Sequence, residues 1–306
     1  MTLDGLEQPG FNTTMMGVVK GVLDWYGIET SDAMAFGGSG HAFLVNIHKQ
    51  VCPSSPYVWK YDGFFRLLGN LGLGVEDLGF FHKDSPPEER TGVERRLRAH
   101  LDAGHPCSFG NMENQLIRGY DDEKFLVIKP WDCTKEEITP PMLSYGSWKE
   151  FGDECHVAFV AWEKGEPVDR MKTFRESLAY AVDLFRNPGN HSHDDYGVGP
   201  AAWDNRAAAM AEHGATHGNW WNATVWSECR KMAGDYSTEM AEQVEGDAAT
   251  MCRDLAARYG EIAGMLERVA DKELPVEDKA ALIPDLKARD LAAIEKVKEL
   301  LAALPG

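Results

Sequence analysis

The sequence predicts an α+β domain followed by an all-α helical bundle domain, and three observations support this fold class. Residues 1–166 combine amphipathic helical patterns with the short alternating patterns typical of strands. Residues 167–306 carry about five helical patterns and almost no strand pattern. The segment "EKGEPV", residues 163–168, separates these two parts. Helices that precede a run of antiparallel strands indicate an α+β architecture, whereas successive apolar stripes suit a helical bundle.

The first helix is predicted from the apolar positions in "NTTMMGVVKGVLDWYG". Asn12 or Thr13 can cap its start, because a side-chain oxygen there accepts a bond from a free backbone amide. Gly27 followed by the apolar Ile28 predicts a left-handed C-terminal cap. The residues that recur at steps of three and four, and therefore share one buried stripe, are Met15, Val18, Val19, Val22, Leu23 and Tyr26.

The other elements of the first domain follow from local patterns. The glycine-rich segment "GGSGHAF" lies between a short helix and a strand through residues 42–47. A helix near residues 61–71, a strand in "VEDLGFF", a helix over residues 91–103 and a strand in "HPCSFGN" come next. The segment "NQLIRGYDDEKFLVIKPWD" predicts a hairpin with residues 121–123 at its turn, and "CHVAFVAWE" predicts a last strand.

The second domain is predicted as helices separated at "NPGNHSHDDYGVGP", "HGATHG", Gly246 and "DKELPVED". Its last segment, residues 278–304, has an apolar stripe that suits packing on the bundle or on a second copy of the chain, so a homo-oligomer through this domain is one prediction. Four tryptophans cluster in this domain, and we predict that they fill its core in preference to lining a pocket. They are Trp203, Trp220, Trp221 and Trp226.

The net charge of −18 argues against several classes of partner. It is spread over both predicted domains and is not confined to a tail. A surface this negative repels nucleic acids and anionic lipids, since it offers them no counterion release. We therefore expect no nucleic-acid partner and no membrane partner.

The cysteines and the N-terminal sequence favour a cytoplasmic protein. The six cysteines show no CxxC pair and no metal-finger spacing, which is typical of reduced, mostly buried thiols. The first residues, "MTLDGLEQPGF", lack the basic region and apolar run of a signal peptide. No stretch approaches the roughly 18 apolar residues that a membrane span needs.

Four segments together resemble a known family. They are "TTMMGVVKGVLDWYG", "GGSGHAF", "IRGYDDEKFLVIKPWD" and "SWKEF…CHVAFVAW". Their order and spacing over roughly residues 10–163 resemble the papain-like cysteine peptidase superfamily. More narrowly, they resemble the peptidases that trim double-glycine leaders from bacteriocins, and the N-terminal domain of the butirosin biosynthesis acyltransferase. The resemblance implies a papain-like fold, and relatives of that acyltransferase carry a mostly helical second domain.

The resemblance also implies where a catalytic site would lie. The family cysteine starts the first helix, because unpaired amides and the helix dipole lower a thiol pKa. This chain has Thr14 there, or Met16 if the register shifts by two residues. The family histidine position, six residues before the glycine of "GYD", is Glu113. The residue that orients the histidine stands at Lys129, with Asp132 three residues beyond.

All three positions depart from the family pattern, so we predict a non-catalytic protein that binds a peptide or small molecule in the ancestral cleft. A threonine beside a carboxylate can in principle act as nucleophile and base, but free glutamate is a weak base for a hydroxyl. The residues expected to line the cleft are Asn12, Thr14, His41, Glu113, Trp131 and Asp132. His41 is included because a similar glycine segment borders the cleft in related domains.

The alternative is a working enzyme. One form is an acyltransferase or amide hydrolase with relocated catalytic groups, for which Cys52, Cys107 and His156 are candidates. The other form is a metal-assisted hydrolase. The segment "EHGATHG" sets His213 and His217 four residues apart, which is how helices present two imidazoles to zinc. His191 and His193 lie nearby in "NHSHDD", although a polar, acidic surface loop is the preferred explanation of these residues.

Overall fold

The computed structural model describes residues 1–82, 84–131, 140–152 and 156–304. It divides the chain into two compact units. The first unit contains Met1–Thr30 and Gly72–Glu166, and the second contains Ser31–Leu71 and Pro167–Gly306. Residues 31–71 were predicted in the first domain but pack with the C-terminal helices. The reason is that the segment buries large apolar side chains, including Phe36 and Phe43, in the second unit.

The described elements mix helices with antiparallel strands, which is the predicted α+β class. In chain order they are α1 Thr14–Trp25, α2 Asp32–Gly38, β1 Asn46–His48, α3 Asp62–Asn70, β2 Leu73–His82, α4 Pro87–Asp102, β3 Cys107–Gly110, β4 Asn114–Tyr120, β5 Lys124–Val127, β6 Met142–Ser144, β7 His156–Lys164, α5 Arg170–Arg186, β8 Tyr196–Val198, α6 Pro200–His213, α7 His217–Ala241, α8 Gly246–Ala270 and α9 Val276–Ala303.

The first unit is built on one antiparallel sheet. Its described strands lie in the order β2, β7, β3, β4, β5, β6. The register pairs Cys107 with Ile117 across β3 and β4, and Phe109 with Phe159 across β3 and β7. Helix α1 packs on β4 through the predicted apolar stripe, in which Val18, Val19 and Val22 are buried. The sheet therefore brings the start of α1 close to the start of β4.

The ends of α1 fit the prediction in part. Gly27 has a φ of +67°, and the amide of Ile28 donates to the carbonyl of Leu23, which is the predicted left-handed cap. At the start, the N-cap residue is Thr13, and its side chain makes no capping hydrogen bond to the described first turn. Thr13 therefore does not cap this helix through its side chain, as one of the two predictions had it.

The N-terminal segment lies along β4 and across α1. Met1 and Tyr120 exchange two hydrogen bonds, and the Gln8 side chain donates to Asn114 O and accepts from Leu116 N, as another strand would. Gly17 and Gly21 make the approach possible. A Cβ at position 21 would lie 2.2 Å from the carbonyl oxygen of Glu7, and one at position 17 would lie 2.6 Å from that of Pro9.

The second unit combines helices with a small two-stranded antiparallel sheet. Helices α7 and α8 pack against each other along their length, and α9 packs on α5, α6 and α8. Strand β8, which the sequence analysis did not predict, pairs antiparallel with β1, with Asn46 opposite Val198. None of the described helices is long and apolar enough to cross a membrane.

The core of the second unit holds aromatic rings and a buried ion pair. Trp203 and Trp226 are fully buried, as the core prediction requires, whereas Trp220 and Trp221 are half-buried. The guanidinium of Arg230 donates to both carboxylate oxygens of Asp290 at 3.0 and 3.1 Å and to the carbonyl oxygens of residues 42 and 44. This pair ties α7 to α9 and to the segment after α2.

We expect Gly21→Ala to destabilise the protein by about 1–3 kcal/mol, because the new methyl group overlaps the Glu7 carbonyl. Gly92→Ala in α4 is the matched control, since no atom lies within 4 Å of a Cβ there. It should stabilise the protein by about 0.5–1 kcal/mol through helix propensity. Urea unfolding measures both values, and a shift of the two variants in the same direction would contradict the packing described here.

Candidate functional site

The Thr14 side chain and the Glu113 side chain meet at the start of α1. Thr14 Oγ1 donates to Glu113 Oε2 at 2.9 Å, and the backbone amide of Asn114 donates to Thr14 Oγ1 at 3.0 Å. Thr14 is 1% exposed and Glu113 is 5% exposed. The two positions that the resemblance pairs as nucleophile and base are therefore in direct contact.

Local structure explains how Glu113 reaches α1. It lies in the tight turn between β3 and β4, where the amide of Asn111 donates to the Glu113 carbonyl at 3.1 Å. Gly110 allows the turn to close, because a Cβ there would lie 2.6 Å from Asn114 Oδ1. Thr14 is the first residue of α1, so its hydroxyl lies at the positive end of that helix.

The hydrogen-bond directions limit what the Thr14 hydroxyl can do chemically. A hydroxyl that donates to a carboxylate has the geometry of a nucleophile beside its base. The Asn114 amide, however, donates to the same oxygen, which holds the oxygen in place and lowers its nucleophilicity. Both side chains are also buried. The arrangement therefore suits a fixed polar contact between helix and turn better than it suits attack on a substrate.

The structure describes two of the other predicted binding positions of the first unit, Asn12 and Trp131, and the predicted orienting position, Lys129. Asn12 is exposed just before α1, and Lys129 and Trp131 are half-buried in the segment that follows β5. The amide of Ile128 donates to Leu116 O, so this segment leaves the sheet beside β4. Asp132 lies outside the described residues.

Gln115 is a polar residue of this region that the sequence analysis missed. It is fully buried in β4, and its Nε2 donates to Ile128 O at 2.9 Å and to Pro140 O at 3.1 Å. Its Oε1 has no hydrogen-bond donor among the residues that the structure describes. The available signal was a glutamine followed directly by the apolar pair of "NQLI", in a segment predicted as a strand of a hairpin.

His41 was predicted to border the cleft of the first domain, but the structure places it in the core of the second unit. It is 1% exposed, and its ring lies edge-on to Trp59 and Phe64, with centroid distances of 5.5 and 5.6 Å. Its Nδ1 lies 3.6 Å from the Cys229 sulfur. Burial lowers the pKa of His41 to about 3, so the imidazole is neutral at physiological pH.

The candidates for a relocated thiol enzyme lie in different surroundings. Cys107 is buried in β3, and burial raises the pKa of its thiol, which disfavours the thiolate. Cys52 is half-buried and belongs to the second unit. His156 is exposed on β7, where its ring stacks on Phe80. Cys133 and Cys155 lie outside the described residues.

The predicted zinc pair does not share a helix. Helix α6 ends before Gly214, so His213 is its last residue and His217 is the first residue of α7. Both histidine side chains are exposed. His191 Nε2 instead binds Asp183 Oδ2 at 2.7 Å, and His193 is exposed.

In the described part of the chain, one other group of side chains has the spacing of metal ligands. It consists of Glu76, His100 and Glu163, whose ligand atoms lie within 4.8 Å of one another. Both carboxylates are exposed, and His100 Nε2 lies 3.3 Å from Glu76 Oε2. A surface ion pair accounts for this group.

Comparisons with protein-family models, with curated proteins and with solved structures give no match to this chain. The function is therefore inferred from the residues of the site and from the resemblance in their spacing.

The buried His41 predicts a loss of stability in acid. Between pH 6.5 and about 3, the unfolded chain binds a proton at this imidazole that the folded chain does not bind. The free energy of unfolding should therefore decrease as the pH is lowered. The decrease is about 1.4 kcal/mol per pH unit, or about 2 kcal/mol between pH 6.5 and 5. His41→Gln removes the titrating group, so this part of the pH dependence should be missing. Urea unfolding at pH 7.5, 6.5 and 5 measures it, and equal slopes in both proteins would refute the assignment.

Proposed function

We propose that the first unit is a papain-like domain that has lost catalysis and binds a peptide at the N-terminal end of α1. The observation that carries this proposal is the Thr14–Glu113 hydrogen bond. These residues are 99 positions apart in the chain, yet they stand where the family resemblance puts the nucleophile and its base, and they are in contact. If the likeness of these segments to the family arose by chance, there would be no reason to expect a contact between these two positions.

The exchange of both residues explains why the site binds without reacting. Threonine cannot supply an anion comparable to a thiolate at neutral pH, and glutamate is a weaker base than histidine for this task. The Asn114 amide additionally holds the Thr14 oxygen in place. The contact therefore retains the ancestral geometry as a structural link between α1 and the β3–β4 turn.

A peptide suits the remaining groups. Asn12 is exposed at the start of α1, and Trp131 offers a half-buried aromatic surface. Peptide backbones carry N–H donors and carbonyl acceptors at regular spacing, which an exposed amide side chain can bind, and an aromatic anchor supplies binding energy.

Binding is tested with a fluorescein-labelled peptide that carries a double-glycine sequence, measured by fluorescence anisotropy with the full chain. We expect saturable binding that weakens at least about tenfold in Trp131→Leu, a loss of about 1.4 kcal/mol. Phe80→Ala, which removes a 59% exposed ring from β2, is the matched control and should bind as the wild type does. Absence of binding at about 1 mM protein, or equal weakening in both variants, would overturn the proposal.

Mass spectrometry of the same peptide after incubation separates binding from catalysis. We expect the peptide to remain intact. Thr14→Val should lower the free energy of unfolding by about 1–3 kcal/mol, because the Asn114 amide loses its acceptor, and Thr14→Ser should lower it less. Cleavage by the wild type that disappears in Thr14→Val would instead establish the enzyme alternative.

A further inference from the structure

Two arginines are fully buried in the second unit, and their surroundings differ. Arg230 is neutralised, since its guanidinium forms a bidentate pair with Asp290 and also donates to two backbone carbonyls. Arg206, in α6, is equally buried. A buried guanidinium without a carboxylate is costly to the fold, because its charge is removed from water without compensation.

The contacts of Arg206 do not neutralise it. Its Nε donates to Asn219 Oδ1 at 3.0 Å and its Nη2 donates to Asn219 O at 2.7 Å, and both acceptors are uncharged. Its Nη1 has no hydrogen-bond partner in the described part of the chain, and neither does Asn219 Nδ2. Two buried donors that belong to one hydrogen-bonded pair of side chains are therefore unsatisfied together.

The charge of Arg206 persists at neutral pH. Burial lowers the pKa of its guanidinium to about 9, and burial is its resolved cause, with no carboxylate acting in the opposite direction. The group is therefore still protonated at pH 7. An ordered water molecule would satisfy the two donors but would leave the positive charge without a counterion.

The N-terminal end of α7 adds positive potential to the same place. Asn219 is the third residue of α7, and Thr216 caps the helix by accepting from the Asn219 amide at 3.2 Å. The first turn contains no acidic residue to offset the helix dipole. A guanidinium thus lies beside a helix N-terminus, a combination that favours an anion.

Neighbouring backbone packs closely on the first turn of α7. Gly218 allows this contact, since a Cβ there would lie 1.9 Å from Val51 O. Val51 itself has a φ of +51°, an unfavourable backbone conformation for a β-branched residue. Asn222 Nδ2 fixes the loop by donating to Cys52 O at 3.0 Å. Because Arg206 and Asn219 are both buried, an occupant beside them has to be small.

We propose that Arg206 Nη1 and Asn219 Nδ2 bind one small monovalent anion of the size of chloride, buried in the second unit. The anion is the counterion of Arg206 and accepts a hydrogen bond from each of the two donors. It takes the role that Asp290 has for Arg230, and it makes the stability of the second unit depend on chloride.

The first test compares thermal unfolding of the full chain in sodium chloride and in sodium gluconate at equal ionic strength and pH 7. Equal ionic strength removes general screening, and gluconate is too large for a buried site. We expect the melting temperature to rise with chloride along a saturating curve, by on the order of 5 °C at high occupancy. The same temperature in both salts would overturn the proposal.

Two variants test the site itself. Asn219→Asp places a carboxylate against Arg206, so it should match the chloride-loaded wild type in gluconate and lose the chloride response. Arg206→Met removes the charge and should also lose the response. Arg289→Met removes an exposed arginine of the same unit and should keep it. A chloride response that survives in both site variants would overturn the proposal.

If a variant does not fold, crystals of the wild type grown in sodium bromide test the anion site directly. We expect an anomalous peak within hydrogen-bonding distance of Arg206 Nη1 and Asn219 Nδ2. A buried water without anomalous signal at that place would contradict the proposal.

Discussion

The hydrogen bond between Thr14 and Glu113 connects the two features on which the candidate site depends, the start of α1 and the β3–β4 turn. The bond is buried, so water does not compete for either group, and removing one partner costs more than the bond itself contributes. The position of α1 is also constrained by Gly17 and Gly21, which allow the N-terminal segment to cross it at close range. Together these contacts hold the tip of the helix against the sheet.

In the proposed papain-like origin, the Thr14–Glu113 contact stands where a reaction centre with different chemistry would lie. A cysteine at the start of a helix gains nucleophilicity from free amides and the dipole. A threonine there gains little, and the Glu113 carboxylate fixes its hydroxyl as a donor. Under this proposal, the same substitutions that remove catalysis also produce a stable polar contact. The proposed peptide binding then depends on groups around this contact, such as Asn12 and Trp131.

Local patterns predicted most helices and strands of this chain. The features that the sequence analysis missed depend on contacts between residues far apart in the chain. The stripe of α1, its glycine cap and the β4–β5 hairpin follow from periodicity and turn residues. Strand β8 has three residues, too few for an alternating pattern, and it forms because β1 pairs with it. His41 lies in a segment whose assignment to the second unit depends on distant helices. The family spacing put Thr14 and Glu113 at the nucleophile and base positions but did not show that their side chains meet, and the burial of Arg206 has no local signature.

The central claim is that positions 14 and 113 are the former nucleophile and base, and restoring that pair tests it most directly. In Thr14→Cys/Glu113→His, the thiol introduced at position 14 should ionise at about pH 6, because the helix dipole and an imidazolium lower its pKa. In Thr14→Cys alone, the Glu113 carboxylate should keep that thiol protonated below about pH 8.5. The ultraviolet absorbance of the thiolate, measured as the difference from the wild type, follows this ionisation without a reagent that must reach the buried position. Ionisation of position 14 at the same pH in both folded variants would contradict the claim.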